Sequence, residues 1–154
     1  MLASSLYCAA GDLTSKEAFI REEYKRGIAA FETKIAAHPA DAGLLVGLGQ
    51  LHYRFNKYTE AKSTLERALA IEPNHAVAHN YLGMMLSQEG RMKEALKHFD
   101  LAIKSNPNYA DAHFNRAVAL ATSTPPDKAA ARESYKRAVG LGSESDSPLE
   151  QVIK

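Results

Sequence analysis

Small and apolar residues recur along this chain at a fixed step of 34 residues. This step separates Pro39, Pro73 and Pro107, and it also separates Gly49 from Gly83. Between these positions, apolar side chains follow one another at intervals of three and four residues, which is the spacing of one helix face. A fixed period of this kind in a helix-rich sequence predicts a helical solenoid, in which each unit packs on its neighbours.

The pattern predicts three consecutive helix pairs, which are called repeats below. Within each repeat a short turn joins the two helices, and a proline or a glycine ends the second helix. The predicted repeats span about 42–75, 76–109 and 110–143. Their predicted helices cover 42–55, 58–71, 76–89, 92–105 and 110–122, with a sixth that ends near residue 140.

A longer helix is predicted ahead of the repeats, over about residues 15–38. It begins at a capping box formed by Thr14 and Glu17, whose side chains satisfy the first free backbone amides. In its second half, Gly27 and Phe31 have the phase of the small and the large residue in a second repeat helix. No first helix with the repeat pattern stands before it.

The two ends of the chain are predicted to differ. Residues 1–13 contain a glycine–aspartate breaker and are interpreted as a loosely ordered N-terminus. Near the C-terminus, Ser147 and Pro148 begin a short helix of about 148–153. Its apolar face fits the unit that closes the end of a solenoid.

Taken together, these positions resemble the tetratricopeptide repeat, a helix-turn-helix unit with this period. Small residues at its eighth and twentieth positions let the two helices touch, and a large residue at the twenty-fourth packs between neighbouring repeats. The resemblance implies an all-α, right-handed superhelical solenoid of helix-turn-helix repeats with a C-terminal capping helix. The matching residues are Leu48, Gly49, Ala61, Leu65, Ala68 and Pro73; Leu82, Gly83, Ala95, Phe99, Ala102 and Pro107; and Ala117, Ala131, Tyr135 and Ala138.

The chain departs from the family pattern in two respects. The fourth position of the repeats, which is tryptophan-like in the family, holds Leu45, His79 and His113. The third repeat carries a two-residue insertion and has no closing proline.

The resemblance also implies a non-catalytic protein-interaction scaffold, whose successive first helices line a concave groove for a peptide or a partner helix. Asn80 and Asn115 are the leading candidates for binding a peptide main chain. Tyr81, Met84 and Phe114 offer apolar anchor points. The full predicted groove set is Gln50, Tyr53, Arg54, Val77, Asn80, Tyr81, Met84, Gln88, Asp111, Phe114, Asn115 and Val118.

One ligand class is disfavoured by this groove. Chaperone-binding members of the family use lysines, asparagines and an arginine to clamp an acidic C-terminus. Because the cations are missing here, nothing would pair with those carboxylates. The corresponding positions hold Val46, Gln50, Tyr81, Asp111 and Asn115.

A second hypothesis is a structural subunit that associates with itself through the N-terminal helix. This helix lacks a partner on its N-terminal side, and its apolar stripe is wider than one neighbour needs. An open solenoid end tends to pair, and a second copy is the simplest partner, so a homodimer is the alternative. The stripe consists of Ile20, Tyr24, Ile28, Phe31 and Ile35.

Composition narrows the possible partners. The chain has 154 residues, with 19 basic and 18 acidic side chains and a net charge of +1, so nucleic acid is not an expected partner. No apolar run approaches the roughly 18 residues of a membrane-spanning helix. Cys8 is the single cysteine, which excludes an internal disulfide and leaves the compartment unmarked.

No cofactor, metal site or catalytic site is predicted. His75 and His79 have the spacing of a metal-binding pair, but His79 occupies a packing position and no third ligand accompanies them. Cys8 has no accompanying acid or oxyanion turn, so the chain is interpreted as not being an enzyme.

Overall fold

The computed structural model describes the backbone of residues 3–154 and the side chains of residues 14–146 and 148–154. This part of the chain forms eight α-helices and no strand. None of these helices is long and apolar enough to cross a membrane. The helices are α1 (Ala3–Ala37), α2 (Ala42–Arg54), α3 (Tyr58–Ile71), α4 (Ala76–Gln88), α5 (Met92–Ser105), α6 (Ala110–Thr122), α7 (Lys128–Gly140) and α8 (Ser147–Ile153).

The helices pack in chain order, as expected of a solenoid. α2 pairs with α3, α4 with α5 and α6 with α7, and each pair also contacts the next. The bounds of α2 to α6 lie within one residue of those predicted from the sequence. The all-α solenoid of helix-turn-helix repeats is thereby confirmed.

Each helix pair closes where a small residue of the first helix meets a large residue of the second. A Cβ atom added to Gly83 would lie only 2.6 Å from Cε1 of Phe99. A Cβ atom added to Gly49 would lie 2.7 Å from Cγ of Leu65. Both large side chains are fully buried, so the missing glycine side chain is what lets the two backbones approach.

The N-terminal helix is longer than the sequence predicts. α1 begins at Ala3, so the stretch interpreted as loosely ordered is helical from that residue on, and Thr14 does not cap a helix start. Residues 1 and 2 and the side chains up to residue 13 lie outside the described part of the chain. A glycine inside a helix costs only about 1 kcal/mol relative to alanine, so Gly11 is not a strong enough breaker.

α1 also continues through the position at which the repeats turn. Asn56 and Gly90 make the turns of the first two repeats with positive φ angles of 58° and 75°. One step of 34 residues before Asn56 stands Glu22, which disfavours that backbone conformation. Glu22 instead forms an ion pair with Lys25 at 3.0 Å, one helical turn along α1. The turn of a preceding repeat is therefore absent, and one continuous helix takes its place.

The second half of α1 packs on α2 as a second helix packs on the next repeat. The ring of Phe31 lies against Gly47, where an added Cβ atom would meet it at 2.6 Å. The Tyr24 hydroxyl lies 2.8 Å from Nδ1 of His52. Burial lowers the pKa of His52, so this hydrogen bond joins the phenol to a neutral imidazole.

A histidine at the fourth position ties the first helix of a repeat to the turn before it. Nε2 of His79 lies 2.9 Å from the carbonyl oxygen of Pro73. Nε2 of His113 lies 3.0 Å from the carbonyl oxygen of Pro107. A carbonyl oxygen only accepts, so Nε2 donates in both bonds. These histidines thus have a specific structural partner in addition to their packing.

The last helix closes the C-terminal end of the solenoid. Leu149 and Ile153 of α8 are buried against α6 and α7. The Asp146 side chain caps the start of α8, in place of the predicted Ser147. At its other end, Nε of Arg132 donates to the carbonyl oxygen of Ile153 at 3.1 Å, so a residue of α7 satisfies the helix C-terminus.

The small-residue contact within a repeat predicts a stability difference. Replacing Gly83 with alanine should lower the free energy of unfolding by about 1–3 kcal/mol, because the added Cβ atom would force a shift of the fully buried Phe99 ring or of the helices. Gly140→Ala is the matched control, since nothing lies within 4 Å of its added Cβ atom. Urea unfolding of both variants measures this, and equal stabilities would contradict the proposed close contact.

Candidate partner-binding groove

The twelve predicted groove residues all lie on the first helices of the repeats, which are α2, α4 and α6. α2 contacts α4, and α4 contacts α6, so the three helices stand side by side in one row. The predicted residues therefore belong to neighbouring helices. They differ in how much of each side chain a partner could reach.

An aromatic cluster occupies the N-terminal part of this row. The rings of Tyr53 and Tyr81 meet edge to face, with centroids 5.3 Å apart and planes at 83°. Tyr58 of α3 packs on the other side of Tyr53, at 5.5 Å. Nε2 of Gln88 donates to the Tyr53 hydroxyl at 2.8 Å. Tyr53 and Tyr81 are half-buried, so the cluster still offers aromatic surface to a partner.

Asn80 is not available to a peptide, contrary to the prediction. Its side chain is only 2% exposed. Its Nδ2 lies 3.3 Å from the Tyr109 hydroxyl and 3.7 Å from the Met84 sulfur. Its Oδ1 accepts from Nδ2 of Asn115 at 3.0 Å. The amide therefore links α4 to α6 and to the start of that helix.

Asn115 is more accessible than Asn80. Its Nδ2 donates one hydrogen bond to Oδ1 of Asn80, and the half-buried side chain still contacts solvent. A primary amide offers two donors and an acceptor with two lone pairs, so donor and acceptor capacity remains on this side chain. Burial raises the pKa of Tyr109 to about 12, which keeps its hydroxyl protonated beside the Asn80 amide.

An open cleft lies at the C-terminal end of the row. It has a volume of about 770 Å³ and is bounded by α6 and by the segment that leads to α8. Phe114 forms its apolar wall, and its ring stands 6.4 Å from that of Tyr135. Asp111, Glu144 and Asp146 surround the opening.

The remaining predicted residues divide into two groups. Arg54 and Gln88 are exposed, and Gln50 is half-buried on α2. Val77, Met84 and Val118 pack against the hydrophobic clusters of the solenoid, so their surface serves the core as much as a ligand.

The histidines considered as a metal pair have other partners. Nδ1 of His75 accepts from the backbone amide of Ala78 and caps α4, at 3.4 Å. Among the described residues, histidine, cysteine, aspartate and glutamate side chains form no cluster of three that could hold a metal ion.

A family model described as tetratricopeptide repeat matches residues 15–61, 47–110 and 94–146. These matches together cover most of the chain. The chain belongs to the tetratricopeptide repeat family.

Solved structures with a similar fold include three of MamA. A crystal structure of MamA has a TM-score of 0.66 at 20% identity, covering 79% of this chain and 70% of that chain. The MamA RS-1 ArsTM double mutant has a TM-score of 0.65 at 19% identity, covering 85% and 72%. MamA MSR-1 C2 has a TM-score of 0.60 at 25% identity, covering 77% and 67%. These similarities support the solenoid fold, and the family match supports the general role of a protein-interaction scaffold.

The sequence prediction misses two residues that make long-range contacts, Tyr109 and His98. Tyr109 occupies the position at which Asp41 and His75 cap the first helices, yet its hydroxyl reaches Asn80 instead. His98 lies one step after Thr64, on the second helix of the middle repeat, and contacts His79. Neither has a helix-face signal of its own, because its role depends on a partner about 20 to 30 positions away.

The buried amide predicts unequal effects of two similar substitutions. Asn80→Ala should lower the free energy of unfolding by about 1–3 kcal/mol, since Tyr109 and Asn115 lose a buried partner. Asn115→Ala should cost less, because it leaves only Oδ1 of Asn80 without its partner, whereas Asn80→Ala removes the buried amide and all of its contacts. Thermal unfolding followed by circular dichroism compares the two, and a larger effect at Asn115 would contradict the assignment of Asn80 as the buried link.

Proposed function

We propose that this tetratricopeptide repeat protein is a non-catalytic adaptor that binds a protein segment along α2, α4 and α6. The observation that carries the proposal is a series of half-buried aromatic side chains on three successive first helices. These are Tyr53, Tyr81 and Phe114. Aromatic side chains that keep exposed surface in a concave site supply much of the binding energy at protein interfaces.

The polar residues beside these rings suit an extended main chain. Asn115 retains hydrogen-bonding capacity, and Gln50 lies half-buried on the same row. Side-chain amides can both donate to and accept from a peptide backbone. The acidic cleft beside Phe114 and the missing cationic clamp disfavour an acidic C-terminal peptide as the ligand.

A test of this proposal compares the groove with the opposite side of the solenoid. The double variant Tyr81→Ala and Phe114→Ala should lower capture of partners from the native lysate at least about tenfold, which corresponds to about 1.4 kcal/mol. Leu101→Ala on α5 is the matched control, because this exposed apolar residue lies on a second helix. Both variants should keep the helical circular dichroism of the parent protein. Asn80 is left unchanged, since its loss would disturb the fold.

Cross-linking locates the contact more directly. A photo-crosslinking residue in place of the exposed Gln88 should form a covalent cross-link to the captured partner. The same residue in place of Lys104 on α5 should form none. Equal capture by the double variant and the parent, or cross-links from Lys104 alone, would contradict binding in the groove.

A specific observation favours a second candidate function, self-association through α1. Phe19 is 66% exposed and Ile20 is 49% exposed, whereas Tyr24 and Phe31 on the same helix are partly covered by α2. Apolar side chains left open at the end of a solenoid favour pairing with a second copy.

Light scattering over a range of concentrations tests this candidate. The parent protein should gain mass with concentration, and the double variant Phe19→Ser and Ile20→Ser should remain monomeric. Val152→Ser on α8 is the control, since Val152 is also an exposed apolar residue at one end of the solenoid. A parent protein that is monomeric at every concentration would exclude self-association as the function.

A further inference from the structure

Two histidines meet where α4 packs on α5. Nδ1 of His79 lies 3.1 Å from Nδ1 of His98, and the ring centroids are 5.2 Å apart. His79 is only 6% exposed, and His98 is partly buried. The pair is therefore an internal contact between the two helices of the middle repeat.

The hydrogen bonds around the pair determine where its protons lie. Nε2 of His79 must donate, because its partner is the carbonyl oxygen of Pro73 at 2.9 Å. Nδ1 of a neutral His79 then carries no hydrogen and can only accept. Nδ1 of His98 must consequently donate to it.

This arrangement accepts one additional proton and no more. A first proton can bind Nε2 of His98, which leaves the Nδ1–Nδ1 hydrogen bond in place. A second proton would have to bind Nδ1 of His79, so two donors and two positive charges would face each other across 3.1 Å. The hydrogen bond would then be lost, and the two positive charges would repel each other.

The charged groups around the pair do not remove this limit. The cavity that His98 lines is also lined by charged residues of α3, of α5 and of the turn between α4 and α5. These are Lys62 and Glu66 of α3, Glu94 of α5, and Glu89 and Arg91 of the turn. The two carboxylates nearest the turn already have a partner, since Arg91 lies 2.9 Å from Glu89 and 2.6 Å from Glu94. In the described part of the chain, no charged group of α6 forms a hydrogen bond with either imidazole.

Burial has the largest effect on His98 and lowers its pKa, and the neighbouring His79 lowers it further. Glu94 acts in the opposite direction, and Lys62 adds to the lowering. The unfolded chain therefore binds more protons at this residue than the folded protein does. The stability that neutral His98 contributes is full above the ordinary histidine pKa of about 6.5 and is lost as the pH falls below it. The Nδ1–Nδ1 hydrogen bond itself is lost only with the second proton.

The other repeats lack the pair, which provides internal controls. In the first repeat the two positions hold Leu45 and Thr64. In the third repeat His113 makes the same bond to a proline carbonyl, but the partner position holds Ser134. Oγ of Ser134 accepts a hydrogen bond from Nη1 of Arg116 at 2.6 Å and forms none with His113.

We propose that the His79–His98 pair is a proton-sensitive clasp that holds α4 on α5 while at most one imidazole is charged, and that releases the middle repeat when both are charged. If the chain binds its partner along the first helices, as proposed above, release also weakens binding. The reason is that Asn80 directly follows His79 and links α4 to α6 through Asn115.

Amide hydrogen exchange tests the clasp without a partner. After correction for intrinsic exchange rates, protection of the α4 and α5 amides should fall at least about tenfold relative to α6 and α7 between about pH 7.5 and about pH 4.5. His98→Ser, which installs the residue of the third repeat, should abolish this additional loss. His113→Gln should retain it.

Two results would overturn the proposal. One is the same pH dependence of α4 and α5 in His98→Ser as in the parent protein. The other is an equal loss over α6 and α7. Titration of His52 would reduce protection in α1 and α2, so its effect appears in a different part of the chain.

A measurement on the unmodified protein covers the case in which His98→Ser does not fold. Nitrogen NMR of the histidine rings should find the hydrogen of neutral His79 on Nε2, and His98 should take up the first proton at Nε2. A hydrogen on Nδ1 of neutral His79 would overturn the clasp. Because neither exchange nor NMR requires a partner, failure of the clasp and failure of the proposed binding function are distinguishable.

Discussion

The close approach of two helices within each repeat is the constraint on which the rest of the structure depends. Gly49 and Gly83 bring the first helix onto the large buried residue of the second, and this contact sets where the neighbouring repeat can pack. The row of first helices, and with it the aromatic surface proposed for binding, follows from that spacing. A side chain at either glycine would move the helices apart and displace the row as a whole.

The polar interior is specified by a smaller set of long-range hydrogen bonds. Asn80 joins α4 to Asn115 of α6, and the histidines at the fourth repeat position hold the preceding turns. All described buried side-chain nitrogen and oxygen atoms have a hydrogen-bond partner. Such satisfied polar contacts define the register between repeats, because a shifted helix would leave a buried group unpaired.

The sequence predicts the solenoid well and the site only in part, for a physical reason. Helix bounds follow from local signals such as Pro73 and Gly90, which act on the backbone at their own position. Whether Asn80 faces a ligand or the interior depends on Tyr109 and Asn115, about 30 residues away, and no helix-face pattern records that pairing. The predicted start of α1 near residue 15 is wrong, because a single glycine such as Gly11 does not stop a helix and α1 begins at Ala3.

The uninterrupted α1 has a mechanical consequence. Residues 14–23 extend past the part of α1 that packs on α2, and they amount to about 15 Å of helix. Tyr24 and Phe31 attach the C-terminal part of α1 to α2, so a small rotation at that contact is amplified along residues 14–23. A molecule that binds residues 14–23 and rotates them would therefore act directly on the contacts of His52 and on the first repeat.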